Sequence, residues 1–165
     1  MTTVYHEIRQ TKPFLCLEEE AYIALRLTST LMEQPWVRYL RKTEGISPSQ
    51  YNLLRILRGA GEEGRTMSEI ADRMINRDPD VTRLADRTVK LGLARRKRDG
   101  DDRRVVKLFI TAPGLAMLGR LDDAVKVFLQ QALGGLGAKK LKQLRDLLNE
   151  LRSELGPFPA AEDRQ

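Results

Sequence analysis

Residues Ser68 to Thr111 read SEIADRMINRDPDVTRLADRTVKLGLARRKRDGDDRRVVKLFIT. Two short amphipathic patterns flank Asp78-Pro79, and a charged, alternating stretch follows. In the first pattern Ile70, Ala71 and Met74 share a helical face; in the second Val81, Leu84, Ala85 and Thr88 do. Asp78 before Pro79 has the chemistry of an N-cap followed by proline at N1, so the second helix is predicted over about 79–90. Gly92 supplies a residue that can turn left-handed and close it. Two strands then follow, 95–98 and 104–110, with Asp99-Gly100 as a turn signal and Asp101-Asp102 pointing to a longer tip. Val106, Leu108 and Ile110 alternate with Val105, Lys107 and Phe109, the pattern of a strand buried on one side. Helix, tight turn, helix and basic hairpin together predict a winged helix-turn-helix, a shape that fits a DNA duplex.

The flanks are helical. Ser47, Pro48 and Gln50 spell a capping box with proline at N1, opening a helix over 46–58 with Leu54 and Leu57 on its buried face. GAGEEG at 59–64 is a loop, and Thr66 with Glu69 forms a second capping box for a helix running to Ile75. Upstream, residues 17–42 repeat apolar positions at helical spacing, but Pro35 predicts a kink or a split near Gln34. Residues 1–13 show no period. Downstream, Leu115, Leu118, Leu121, Val125 and Phe128 form one stripe, and Gly134, Gly135 and Gly137 interrupt it. Leu141, Leu144, Leu148, Leu151 and Leu155 then recur at spacings of 3, 4, 3 and 4, an a/d seam over two heptads. The chain therefore divides into an N-terminal arm and dimerisation helix (1–45), a winged lobe (46–111), C-terminal dimerisation helices (112–156) and a mobile tail (157–165). The fold class is mostly α, with a two-stranded wing as its β part.

Charge placement says more than total charge. The chain carries a formal +6, and between Gly92 and Lys107 seven bases stand against three acids, so +4 of that excess lies in one hairpin. Such a cluster suits a polyanionic partner. The single cysteine, Cys16, allows no intrachain disulfide and no cysteine-based metal site. No apolar run approaches a bilayer span, and the first residues lack a secretory signal, so no membrane partner and a cytoplasmic setting are expected. Lone His6 has no second histidine beside it, and no nucleophile–base pair or phosphate-binding glycine fingerprint is present; no enzymatic activity, metal or cofactor is expected.

The stretch from Ile70 to Thr111 resembles the DNA-binding lobe of MarR-family transcription regulators. Asp102-Arg103-Arg104, followed by Val106, Leu108 and Ile110-Thr111, is similar to that family's D-x-R wing signature and closing strand. The likeness extends over residues 17–155. It implies that the helix from Pro79 enters the major groove, where Asp80, Thr82, Arg83 and Arg87 are the candidate recognition residues. Thr82 and Arg83 are expected to read bases, and Asp80 either to cap backbone amides or to orient an arginine. Arg95, Arg96, Lys97, Arg98, Arg103 and Lys107 are wing candidates for phosphate contact. Arg104 is expected in the minor groove or against phosphates, with Asp102 orienting it.

The resemblance also implies a homodimer joined by the terminal helices, reading an inverted-repeat operator and acting as a repressor released by a small-molecule effector. The Leu141–Leu155 seam agrees, although packing onto the Leu115–Phe128 stripe of the same chain also accounts for it. Tyr22, Arg26, Trp36, Tyr39 and Tyr51 are candidate effector-lining residues, with ordinary core packing as their plain alternative. Two other functions stay open: a peroxide-sensing repressor acting through Cys16, against which Glu18, Glu19 and Glu20 weigh by disfavouring thiolate, and a winged-helix scaffold for protein partners.

Overall fold

A computed structural model gives the fold and describes residues 3–76, 80–98 and 105–156. The elements are α1 (Val4–Glu7), α2 (Leu17–Thr43), α3 (Pro48–Ala60), β1 (Arg65–Thr66), α4 (Met67–Arg73), α5 (Val81–Lys90), β2 (Ala94–Arg98), β3 (Val106–Ile110), α6 (Ala112–Leu133) and α7 (Gly137–Leu155). Tight 3-10 turns at Gly61–Glu63 and Gly134–Leu136 follow α3 and α6. The chain forms two units, Met1–Asp122 and Asp123–Gln165. Their boundary falls within α6.

Local chemistry sets the helix starts in the first unit. The Ser47 hydroxyl accepts from the Gln50 amide at 3.2 Å, while the Gln50 side chain accepts from the Ser47 amide at 3.0 Å. Thr66 and Glu69 repeat this exchange at 3.3 and 2.9 Å, each box satisfying two amides that a helix end leaves unpaired. α3 then buries Leu53, Leu54 and Leu57 completely. Leu53 and Leu57 pack with Ile70, Met74, Leu84, Ala85, Ala94 and Leu108, so α3, α4, α5 and the hairpin share one core. Full burial of a leucine such as Leu84 contributes about 1.5–3 kcal/mol.

The sheet is antiparallel in the order β1–β3–β2. The third strand, β1, has only two residues and no sequence signal of its own; it pairs Arg65 with Leu108 and Thr66 with Lys107. β3 is less regular than its alternation promised. Leu108 is fully buried, whereas Val106 is exposed and Phe109 half-buried.

Four other expectations change. α2 runs unbroken through Pro35. Proline removes one amide, but Leu31 and Pro35 both face solvent, where water can satisfy the freed carbonyl and the helix can continue. Residues 4–7 form the short α1, against which Phe14 packs edge-on to Tyr5 at 6.0 Å. α4 ends at Arg73 because Met74 is already extended. α5 begins at Val81, capped by Asp80 rather than Asp78: the Asp80 carboxylate accepts from the Arg83 amide at 2.9 Å. Asp78 and Pro79 lie outside the described residues, as do Asp99-Gly100, Asp102, Arg103, Arg104 and residues 157–165.

In the second unit, the last turns of α6 lead through the glycine-rich 3-10 turn into α7. No residue of α7 is buried. Leu133, Leu141, Leu144 and Leu148 line a shallow groove of about 250 Å³, and Leu151 and Leu155 are 44% and 67% exposed.

Candidate nucleic-acid interface

The faces of α5 differ sharply. Leu84, Ala85 and Thr88 are fully buried, and the Thr88 hydroxyl donates to the Leu84 carbonyl at 2.8 Å, so its burial leaves no donor unsatisfied. Thr82, Arg83, Arg87 and Lys90 are exposed. Asp80 both caps the helix and pairs with Arg83 at 2.9 Å, holding a guanidinium that is otherwise 80% exposed. At the far end Gly92 adopts φ +71°; its amide donates to Val89 and the Leu93 amide to Thr88, a Schellman closure. The helix is thus stopped at both ends, anchored on one side and polar on the other, as a groove-reading element requires.

Alternation separates the wing's cations. Ala94 and Leu108 join the core beneath α5, and Arg96 on the same face donates to Asp86 of α5 at 2.5 Å. This charge-assisted bond ties the first wing strand to the helix; Asp86 was not singled out from the sequence, because the contact joins separate elements. Arg95, Lys97, Lys107 and Phe109 take the opposite sheet face. There Arg95 lies over the Phe109 ring, 5.0 Å from its centroid. Arg98 is exposed at the end of β2.

The ends of α2 and α3 are tied to α6 within the same unit. Arg58 donates twice to Asp122, at 2.7 and 3.0 Å, and Arg120 twice to Glu44, at 2.7 and 3.2 Å. The Arg58 hydrogen bond holds the Asp122 carboxyl below the usual carboxylate range. The Thr66 backbone amide, then its hydroxyl, does the same for Glu69.

The five candidate effector residues do not converge. Trp36 stacks on Tyr39 and meets Tyr51 edge-on, both at 5.5 Å, and burial raises the Tyr51 phenol. Tyr22 is 58% exposed and lies 14 residues before Trp36 on the same helix, roughly 20 Å along its axis. Arg26 is exposed. Cys16 is exposed at the N-cap of α2. Glu18 beside it is held below the usual range, first by a hydrogen bond from its own backbone amide and then by one from Cys16. No described helix is long and apolar enough to cross a membrane, and the described residues contain no cluster suited to a metal ion.

This arrangement matches known proteins. The profile of the MarR family matches residues 44–105. A crystallised MarR transcription factor from Planctomyces limnophilus is 37% identical, the match covering 85% of this chain and 100% of that one, with a TM-score of 0.62. The chain belongs to the MarR family. The MarR-family fold continues in Sco3205 of Streptomyces coelicolor, crystallised in complex with DNA, at 24% identity and a TM-score of 0.77 over 92% of this chain and 96% of that one. The HTH-type transcriptional regulator TtmR of Methylorubrum extorquens (strain PA1) is 34% identical over 104 residues, 63% of this chain. The match spans 50% of TtmR's own length. MarR proteins are transcription regulators, not enzymes.

Proposed function

We propose that this MarR-family chain is a sequence-specific, double-stranded DNA-binding transcription regulator, acting as a homodimeric repressor of an inverted-repeat operator. The observation that carries the reading is the exposed face of α5, where Thr82, Arg83, Arg87 and Lys90 lie over a fully buried seam. Thr82 and Arg83 suit base edges, and Arg87 and Lys90 suit phosphates. Asp80, close to where phosphates would pass, acts through its cap and its hold on Arg83. Asp102 and Arg104 keep the wing roles that the family likeness implies.

The unburied leucines of α7 support a dimer, because a helix bearing Leu144, Leu147, Leu151 and Leu155 on its surface gains by covering them. Two-fold pairing would set two α5 helices about 34 Å apart, one DNA turn. A small-molecule effector would release the operator by binding more tightly to a dimer with a different spacing; the Trp36–Tyr39–Tyr51 cluster offers it an aromatic surface. Footprinting on DNA upstream of the chain's own gene tests the proposal. Two protected half-sites one turn apart are expected, and a single protected half-site refutes the dimeric reading.

A further inference from the structure

A positively charged cleft opens beside the wing, bordered chiefly by the strand face that carries Arg95, Lys97, Lys107 and Phe109. Phe109 forms part of its wall and is fixed from below by Gly64, where a Cβ atom would fall 2.7 Å from the ring carbons. Arg95 lies over that ring, 5.0 Å from its centroid, a cation–π contact that favours one placement of its fork. Lys97 stands directly opposite Lys107 in the strand register, a like-charge pairing that by itself costs stability. These side chains and Arg98, with Ile110 and Leu115 as apolar neighbours, border a cleft of about 620 Å³, within the range of small-ligand pockets. Glu62 and Glu63 also reach it, and Arg58 borders it while engaged with Asp122.

We propose that this cleft binds a small organic anion. Its carboxylate or phosphate head would sit on Arg95 and Lys97, with Lys107 adding charge, and its apolar body would lie on Ile110 and Leu115. A planar guanidinium held in place favours a two-oxygen acceptor. Arg95, Lys97 and Lys107 alternate with the residues that pack under α5, so the strands separate these three cations from that helix. The proposal does not depend on the DNA reading.

The test is calorimetric titration of the full chain with phenyl phosphate and with inorganic phosphate. Three proteins are compared: wild type, R95Q/K97Q, and R95Q/K97Q's charge-matched control K139Q/K140Q, altered on exposed positions of α7. Phenyl phosphate is expected to bind once per chain and more tightly than inorganic phosphate. R95Q/K97Q should weaken it about tenfold or more, and K139Q/K140Q should leave it unchanged. A cooperative melting transition shows that R95Q/K97Q folds. Absence of binding to wild type, or equal losses in both double variants, overturns the site; equal affinity for the two phosphates overturns its apolar half. A salt slope for duplex binding that falls by about 0.9 per residue in R95Q/K97Q would assign these cations to DNA instead.

Discussion

Replacing Asp80 with alanine removes the feature that starts α5. The Arg83 amide loses its acceptor at 2.9 Å, and such N-cap losses cost about 0.5–2 kcal/mol, typically ~1. The negative charge at the helix N-terminus adds about 0.3–1 kcal/mol. The pair with Arg83 adds little more, because a guanidinium 80% exposed is well screened. D80A should therefore lose about 1–2 kcal/mol, a fall of roughly 3–6 °C in Tm for a chain of this size. D80N keeps the acceptor oxygen and should lose about half as much or less. It also withdraws an anion from the groove-facing end of α5 and releases Arg83, so duplex affinity should rise about threefold to tenfold, worth ~1 kcal/mol. Urea unfolding followed by circular dichroism reads the stability, with a shifted midpoint at constant slope. D80A as stable as wild type, or D80N as destabilised as D80A, refutes the assignment of Asp80 as the cap.

Gly114→Ala places a Cβ atom 2.3 Å from the Leu93 carbonyl oxygen and 2.8 Å from Ile110, and backbone cannot yield as a flexible side chain can; a loss of about 1–3 kcal/mol in urea unfolding is expected. Acid should weaken the fold through Asp122 and Glu69. Their folded pKa values lie below the unfolded ones, so their contribution is present above the unfolded values, about 3.9 and 4.3, and is lost as pH falls through the folded ones. D122N and E69Q should each flatten the decline in stability below about pH 4, measured by urea unfolding across pH. Leu151→Asp should convert a dimer to monomer in sedimentation while α-helical content persists, since Leu151 is not part of any buried core.

What could be read from the sequence was what short-range chemistry decides. Both capping boxes and the Gly92 closure rest on residues within five positions of each other, and the structure shows all three. Asp78 and Asp80 flank the same proline and carry the same cap chemistry, so only the reach of the Asp80 carboxylate to the Arg83 amide separates them. Pro35 announced a break that one lost hydrogen bond on an exposed face does not force. The strand alternation was visible, but not which face would turn to α5. Burial of Ala94 and the Asp86–Arg96 contact set that, and both depend on packing between elements. The aromatic trio of Trp36, Tyr39 and Tyr51 likewise forms only when α2 lies against α3, which left Tyr22 and Arg26 grouped with residues they do not approach.

The central claim is that the exposed face of α5 reads DNA, and the most direct measurement is fluorescence anisotropy of wild type, T82A and R87A on duplex from upstream of the chain's own gene, against random duplex, across a salt series. Wild type should prefer the upstream duplex. T82A should erode that preference, and R87A should weaken both duplexes alike while lowering the salt slope by about 0.9. Equal affinity of wild type for both duplexes, with neither variant changing it, would contradict the account.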